Sequence, residues 1–177
     1  GMLSLEEMKS IGGASSQLQQ APIYIEESSR LTVTDILAKS RRLQTERGLD
    51  LIVIDYLQLI EGVGDDENRV QEVARITRSL KAIARELEVP IVAVSQLSRQ
   101  IQTRGPEPTL SDLRDSGSIE QDADLVLFLW QKDHRDREDR VVRLKLAKHR
   151  NGPTAEIDLH FQSELTRFRD LGETHEA

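Results

Sequence analysis

The chain has 177 residues and a net charge of −7, with 37% hydrophobic residues, 3% aromatic residues and no cysteine. This length predicts one domain, and the shortage of aromatics predicts an aliphatic core. The absence of cysteine excludes a disulfide scaffold, a thiol nucleophile and a thiolate zinc site. Because no run of about 18 apolar residues and no apolar leader occur, we expect no membrane-spanning helix, no membrane partner and no signal peptide. The acidic balance argues against a surface that coats nucleic acid everywhere, but it leaves room for a local basic site.

The N-terminal segment, residues 1–20, is polar and is predicted to be only partly ordered. We expect a weak helix near Leu3–Ile11, because Gly12 and Gly13 disfavour its continuation and predict a loop. The short run Pro22–Ile25 is β-like in composition.

Two longer helices are predicted further along the chain. Thr34 followed by Asp35 can cap a helix that runs to about Arg47, and Gly48 stands where helices commonly end. Apolar residues recur at helical spacing over Arg69–Glu88, which predicts an amphipathic helix with one apolar stripe.

Three apolar runs predict strands: Leu51–Ile54, Ile91–Val94 and Leu125–Leu129. Their residues are continuously apolar rather than alternating, which is typical of strands buried on both faces of a parallel sheet. Strands separated by helices indicate βαβ units, and the sequence therefore predicts an α/β fold.

The C-terminal part predicts a β-hairpin. Val141–Leu146 and Ile157–Phe161 each alternate in part, and Asn151–Pro153 between them is a turn sequence. Residues 100–111 contain glycine and prolines and are predicted to form a mobile loop. The tail, residues 169–177, is predicted to be disordered.

Polar residues follow two of the predicted buried strands. Asp55 comes directly after Leu51–Ile54, and Gln96 follows Ile91–Val94. The carboxyl ends of parallel strands face the crevice where α/β proteins bind ligands, so both side chains should line one edge. An aspartate placed in this way holds Mg²⁺ in P-loop enzymes, and a glutamine amide can sense a phosphate or orient water. The alternatives are a capping or surface aspartate and an ordinary loop glutamine.

Lys148 and Arg150 place two cations on the predicted hairpin turn Lys148–Pro153, which we call the basic turn. Arginine binds phosphoryl charge with two parallel hydrogen bonds, and lysine binds it as a point charge. Residues 132–150 hold eight Lys and Arg against four Asp and Glu, a net +4 in an acidic chain. The alternative is a pair of solvated turn charges, and this excess does not by itself establish nucleic-acid binding.

A short polar segment after the predicted mobile loop contains Arg114, Asp115 and Gly117. An arginine beside a glycine and small polar residues suits a phosphate contact made by the side chain and backbone N–H groups. The alternative is a helix N-terminus capped by Ser116 or Ser118. Both interpretations are compatible, since helix N-termini bind phosphate.

Four segments in this order resemble motifs of the DnaB family of replicative DNA helicases. Leu51–Ile60 resembles the Walker B segment, and Val94–Arg99 resembles the next motif. Asp112–Asp124 resembles the motif that contains the DNA-binding loop, and Lys148–Pro153 resembles the turn with the arginine finger. The segments occur at family-like spacing.

The resemblance implies a RecA-like P-loop NTPase core, in which a mostly parallel sheet is flanked by helices and followed by a C-terminal β-hairpin. It also implies a ring-shaped homo-hexamer in the bacterial cytoplasm that moves along single-stranded DNA and uses ATP and Mg²⁺. Primase and a helicase loader are the further partners that it implies.

The resemblance also implies roles for single residues. Asp55 would bind Mg²⁺ through water, and Gln96 would couple the γ-phosphate to DNA-facing loops. Lys148 and Arg150 would reach the nucleotide of the neighbouring subunit. The residues implied to lie against the DNA backbone are Arg114, Asp115 and Gly117.

One family motif does not occur in the 177 residues, because no G-x-x-x-x-G-K-[ST] sequence is present. Its backbone N–H groups and lysine would cradle the phosphates. We therefore expect a partial RecA-like domain over residues 21–168 that lacks the P-loop strand. We also expect that the chain alone binds neither ATP nor Mg²⁺ and has no ATPase activity. The first function predicted is a C-terminal fragment of a replicative helicase. The alternative is a non-catalytic module, derived from that domain, that binds DNA or a helicase.

The missing strand has a consequence for the sheet. The three predicted strands would have unpaired edges, and unpaired backbone in a buried sheet costs about 1–3 kcal/mol per group. We expect the strands either to close up and pair directly or to be covered by a second copy, and association is the favoured outcome.

Overall fold

A computed structural model describes residues 3–28, 30–62, 69–97, 107–113, 117–131 and 141–171 of the chain. The α-helices of these ranges are α1 (Leu5–Gln20), α2 (Val33–Arg47), α3 (Arg69–Leu87) and α4 (Gly117–Asp122). Short 3₁₀ helices occupy Leu57–Leu59 and Leu110–Asp112. No helix within the described ranges is long and apolar enough to cross a bilayer.

The strands of the described residues form two parallel pairs and one antiparallel sheet. β1 (Leu31–Thr32) pairs with β3 (Ile60–Glu61), and β2 (Ile52–Ile54) pairs with β4 (Ile91–Ala93). The antiparallel sheet has the strand order β5-β6-β7-β8. Its strands are β5 (Leu125–Gln131), β6 (Val141–His149), β7 (Ala155–Gln162) and β8 (Arg167–Asp170). The predicted α/β fold with a C-terminal hairpin is confirmed.

Helix α2 begins earlier than the sequence predicted. The Asp35 backbone N–H donates to Thr32 Oγ1 at 3.2 Å, and the Thr32 N–H donates to the Asp35 carboxylate at 3.0 Å. This reciprocal capping box satisfies two backbone donors at once, which is why Thr32 rather than Thr34 is the cap. Gly48 ends the helix with a φ of 85°, a left-handed conformation that glycine adopts without steric cost.

Helix α1 continues through both of its glycines to Gln20, so the loop predicted after Ile11 is wrong. A capping box starts the helix, in which the Ser4 N–H donates to the Glu7 carboxylate at 2.7 Å. Each helix glycine costs about 0.5–1 kcal/mol relative to alanine, and a well-capped helix of 16 residues tolerates that cost. Helix α1 buries none of its residues. The run Pro22–Ile25 forms no strand, so its β-like interpretation is wrong.

The hydrophobic core lies in two clusters. The first packs the predicted apolar stripe of α3 against α2 and the segment after β2. Its buried members are Ile36, Leu57, Ile60, Val73, Ile76, Leu80, Ile83, Leu87 and Val89. The second cluster lies against the antiparallel sheet, and its buried members are Leu113, Val126 and Phe128. Ile119 of α4 packs against both clusters.

The prediction of strands buried on both faces is wrong for all three strands: no residue of β2 or β4 is buried, and β5 is buried on one face only. Val126 and Phe128 are 7% and 3% exposed, whereas Leu125 and Leu127 are 50% and 58% exposed. One face of β5 packs on the second cluster, and its described strand partner is the antiparallel β6. Burial alternates along β5 because the described residues cover only one face of its sheet.

The predicted disordered tail begins too early. Arg169 is part of β8 and lies opposite His160 of β7. The rings of Phe161 and Phe168 face each other across the same pair of strands, with centroids 4.8 Å apart. Cross-strand aromatic pairs of this kind stabilise a sheet. Residues 172–177 lie outside the described residues.

Strands β4 and β5 belong to different sheets of the described residues and do not pair with each other. Of the three predicted strands, the first two therefore pair directly, as β2 and β4. The third, β5, does not pair with β4. Association of two copies stays a prediction.

Candidate functional site

The parallel pairing of β2 with β4 places two of the predicted site residues at one edge. Ile54 lies opposite Ala93 in the register. The Val94 N–H donates to the Ile54 carbonyl at 2.9 Å, which extends the hydrogen-bond ladder past the end of β4. Asp55 and Gln96 therefore leave the sheet at the same edge, where α/β proteins bind ligands.

Gln58 ties the two strand ends together and was not predicted from the sequence. Its Nε2 donates to Ser95 Oγ at 3.0 Å, and its Oε1 accepts from the Gln96 N–H at 3.5 Å. The Leu57 N–H donates to the Val94 carbonyl at 2.8 Å beside it. A glutamine inside an otherwise apolar stretch was the available signal. These bonds fix the main chain of Gln96 relative to the segment that follows Asp55.

Asp55 is exposed, and its carboxylate has no hydrogen-bond or ion-pair partner among the described residues. Mg²⁺ is usually held by one or two carboxylates together with substrate phosphates and several waters. The described residues contain no cluster of three or more His, Cys, Asp or Glu that could hold a metal ion. A single exposed carboxylate at this position can supply one ligand to a Mg²⁺ ion, directly or through water.

The prediction that both cations lie on the turn is wrong for Lys148, which is the penultimate residue of β6, and holds for Arg150. Both side chains contact the C-terminal end of α4. Lys148 Nζ donates to the carbonyl oxygen of Glu120, and Arg150 Nη2 donates to the carbonyl oxygen of Gln121 at 2.9 Å. The last carbonyls of a helix lack intrahelical partners and carry the negative end of the helix dipole, so cations stabilise this end. Both predicted site cations therefore have partners within the chain.

Asp124, between α4 and β5, also binds Arg150. Its carboxylate lies 3.4 Å from Arg150 Nη1, and its carbonyl accepts from the Arg150 N–H at 2.9 Å. Lys81 Nζ of α3 donates to the same carboxylate. The hydrogen bond from Lys81 and, more weakly, the charge of Arg150 hold the pKa of Asp124 below its usual range. Neither Asp124 nor Lys81 was predicted, because their contacts join positions far apart in the sequence.

Two further cations on β6 are neutralised by acidic partners. Arg143 binds Asp158 with two hydrogen bonds of 2.6 and 3.0 Å. Lys145 Nζ lies 2.7 Å from Glu107 and 3.1 Å from Glu156. The pairs with Asp158 and Glu156 join β6 to β7 and stabilise the hairpin, whereas the pair with Glu107 joins β6 to a segment outside the sheet. This part of the predicted basic excess is therefore structural.

The predicted DNA-contact residues are only partly described. Arg114 and Asp115 lie outside the described residues, and Gly117 is the first residue of α4. A Cβ built on Gly117 would have nothing within 4 Å. The described part of the protein therefore leaves space at this position.

The segment before the predicted DNA-contact residues is anchored. Of the predicted mobile loop, residues 100–106 lie outside the described residues. Pro108 is fully buried, and the Thr109 N–H donates to the Asp112 carboxylate at 2.7 Å. The ion pair between Glu107 and Lys145 joins this segment to β6.

Comparison with solved structures shows that the chain has a RecA-like α/β fold. A solved DnaB-like replicative helicase, studied with its interactions with primase, superposes with a TM-score of 0.87 at 36% identity, over 96% of this chain and 42% of that chain. A solved ATPase domain superposes with a TM-score of 0.88 at 36% identity, over 96% of this chain and 62% of that chain.

The chain belongs to the family of the DnaB-like helicase C-terminal domain, which it matches over residues 1–170. The replicative DNA helicase DnaB of Geobacillus stearothermophilus is 49% identical over 176 residues, and the replicative DNA helicase DnaC of Bacillus subtilis (strain 168) is 46% identical. Each match covers 97% of this chain and 39% of the relative, so the chain spans about two fifths of the length of these relatives. The family resemblance seen in the motifs is confirmed.

Proposed function

We propose that these residues act as the C-terminal part of a replicative DNA helicase, whose complete protein couples ATP hydrolysis to the unwinding of duplex DNA at the replication fork. The observation that carries the proposal is the shared edge of β2 and β4, where Asp55 and Gln96 leave the sheet together. The family of the chain supports the same reaction class.

Asp55 and Gln96 would serve the nucleotide at this edge. Asp55 would hold Mg²⁺ through water, and the metal would neutralise phosphate charge when Mg–ATP is bound. The Gln96 amide would contact the γ-phosphate. Because Gln58 binds the Gln96 main chain, a change at Gln96 would be passed to the segment that follows Asp55. Gln96 would in this way couple the γ-phosphate to the DNA-facing loops.

Lys148 and Arg150 would contact the nucleotide of a neighbouring subunit in a homo-hexamer. The arginine would bind phosphate oxygens with two hydrogen bonds, and the lysine would add a point charge. The side chain of Arg150 is 44% exposed although it is anchored on α4, so a phosphate outside the chain can reach it.

Single-stranded DNA is the proposed substrate of the segment before α4. The residues proposed to lie against its backbone are Arg114, Asp115 and Gly117. The space beside Gly117 supports a close approach of the DNA backbone. Further proposed partners are other helicase subunits, primase and a helicase loader in the bacterial cytoplasm. The solved relative with primase interactions supports the primase proposal.

A second candidate function is a non-catalytic module that binds DNA or a helicase through the Arg114 segment and the basic turn. The 177 residues contain no G-x-x-x-x-G-K-[ST] sequence and so supply no phosphate cradle of their own. For the same reason we propose that the 177 residues alone bind neither ATP nor Mg²⁺ and do not hydrolyse ATP.

Steady-state ATP hydrolysis separates the two candidates. We expect no turnover by the 177-residue chain and DNA-stimulated turnover by a complete helicase that contains these residues. In the complete protein, Asp55→Ala should lower kcat by at least about 100-fold, because a bound metal ion supplies several kcal/mol of charge stabilisation.

Asp50→Ala, an exposed acidic residue before β2, is the matched control and should leave kcat unchanged. Turnover by the isolated chain that Asp55→Ala abolishes would overturn the proposed inactivity. A complete protein that binds DNA without hydrolysing ATP would favour the non-catalytic module.

A further inference from the structure

We infer that Asp124 is a positioning residue that acts through Arg150: it holds the basic turn on the C-terminal end of α4, so that the turn and the helix move as one unit. The effect of Asp124 on catalysis rests on the proposed function. In that function, the basic turn contacts the nucleotide of a neighbouring subunit, and α4 follows the DNA-facing segment in the chain. The contacts themselves do not depend on that function.

Three kinds of contact join the turn to α4 and to Asp124, which lies two residues beyond the end of the helix. The Arg150 main chain is held by the Asp124 carbonyl at 2.9 Å, and its guanidinium is held by the Asp124 carboxylate at 3.4 Å and the Gln121 carbonyl at 2.9 Å. Lys148 adds a hydrogen bond to the Glu120 carbonyl. The guanidinium of Arg150 has two partners in different directions, which restricts its orientation. Asp124 is the charged one of these two partners.

Helix α3 supports the same junction from the other side. Lys81 donates to the Asp124 carboxylate, and Thr77 Oγ1 donates to the Asp122 carboxylate at 2.6 Å. Thr77 is buried and Lys81 is largely covered, with 22% of its side chain exposed. Asp124 therefore lies between a fixed partner on α3 and the more exposed Arg150.

Strand β6 and the turn after it contact the chain on both sides of the DNA-facing segment. Lys145 of β6 binds Glu107, which precedes that segment. Lys148 and Arg150 bind the end of α4, which follows it. A displacement of the basic turn toward a phosphate therefore pulls on α4, while the segment that contains Glu107 stays attached to β6. This arrangement couples nucleotide contact at Arg150 to the position of α4, which begins two residues after Asp115 in the sequence.

The first experiment measures the contact itself in the 177-residue chain. Amide hydrogen exchange of α4 should become about threefold to fivefold faster in Asp124→Asn and in Arg150→Ala, the range expected for loss of a partly exposed ion pair. Glu164→Gln, in the turn between β7 and β8, is the control and should leave α4 unchanged. Unchanged exchange of α4 in both variants would overturn the inference.

The second experiment uses a complete helicase that contains these residues. Asp124→Asn should lower the kcat of DNA-stimulated ATP hydrolysis by about fivefold and leave KM for ATP within about twofold, because a positioning residue acts on the reacting geometry more than on binding. Asp124→Glu keeps the charge and should restore most of the kcat. A merely structural role would not separate kcat from KM or respond to the retained charge.

The outcomes distinguish the inference from the function on which it rests. A complete protein in which Asp55→Ala changes nothing contradicts the proposed function and, with it, the catalytic part of the inference. A complete protein that Asp55→Ala inactivates, but whose kcat and DNA stimulation survive Asp124→Asn, contradicts the positioning role alone.

Discussion

Gly117 is the first residue of α4, and a glycine there has two possible explanations: packing within the chain or contact with DNA. A Cβ at this position would meet nothing within 4 Å, so packing of the described residues does not require a glycine. Gly117→Ala should therefore leave the free energy of unfolding unchanged or raise it by up to about 1 kcal/mol, since alanine is the better helix former. If DNA lies against Gly117, the same change should weaken single-stranded DNA binding in a fluorescence anisotropy titration.

Gly12→Ala in the exposed helix α1 is the matched control, because its Cβ would also meet nothing within 4 Å. It should raise helix content without changing DNA affinity. Equal DNA affinity in Gly117→Ala and the unaltered protein would remove Gly117 from the DNA site.

Glu26 gives a prediction about pH. Its carboxylate accepts hydrogen bonds from Lys39 Nζ at 2.6 Å and from Ser28, and these bonds, that of Lys39 first, lower the pKa of Glu26 to about 2. Because the folded pKa lies below the unfolded value, ionised Glu26 stabilises the fold above about pH 4.3, and this stabilisation is lost as the pH falls toward 2. Lys39→Ala should raise the pKa of Glu26 toward about 4.3 in an NMR titration of the carboxyl carbon. Lys9→Ala should not move it, and a low pKa that survives Lys39→Ala would show that Ser28 alone is sufficient.

The candidate site was predictable where it depends on strand ends. Asp55 and Gln96 follow apolar runs, and the position after an apolar run is visible in the sequence. Gln58 and Asp124 were missed, because their importance comes from partners that folding brings close, such as Ser95 and Arg150. Local pattern carries no information about such long-range hydrogen bonds.

At the level of elements, α3 supplies most of the first core cluster. Ile76 is only 2% exposed and lies in the middle of the apolar stripe. Ile76→Ala should lower the free energy of unfolding by about 2–5 kcal/mol, because it removes buried methylenes and leaves a cavity. Urea denaturation followed by circular dichroism measures this change.

Ile11→Ala on α1 is the control, since Ile11 is 54% exposed and α1 buries no residue. It should change the free energy of unfolding by less than about 0.5 kcal/mol. Similar losses for the two variants would show that α3 is not the centre of the core.

The elements differ in how well the sequence predicted them. The α3 stripe and the β2 and β4 strands carry strong apolar patterns, and the structure has them close to the predicted bounds. The end of α1 and strand β8 were missed. In α1, two glycines masked the signal of a helix that begins with a capping box. Strand β8 pairs with β7 at positions that include Phe161 and Phe168, and such cross-strand pairing is not visible in a local sequence pattern.

At the level of the whole molecule, exposed apolar side chains on the strands predict association of the 177-residue chain. Val53 of β2 is 60% exposed, Val92 of β4 is 51% exposed, and Leu127 of β5 is 58% exposed. Open strand edges and apolar faces favour contact with a second copy. Light scattering at several concentrations should show an apparent mass that rises above that of one chain.

The double variant Val53→Thr and Leu127→Thr keeps β-branching or β-propensity while reducing apolar surface, and it should shift the concentration dependence toward the single chain. A mass equal to one chain at all concentrations, for the unaltered protein, would show that β4 and β5 tolerate open edges without a second copy.

The position of Ile119 against both core clusters has a consequence for folding cooperativity. The half built on α2 and α3 and the half built on the antiparallel sheet share this side chain, and α4, which carries it, has only six residues. While α4 is folded, heat or denaturant should melt both halves in a single transition. When α4 loosens, the halves become separate unfolding units with their own stabilities. The short helix beside the proposed DNA contact therefore determines whether this domain unfolds in one step or in two.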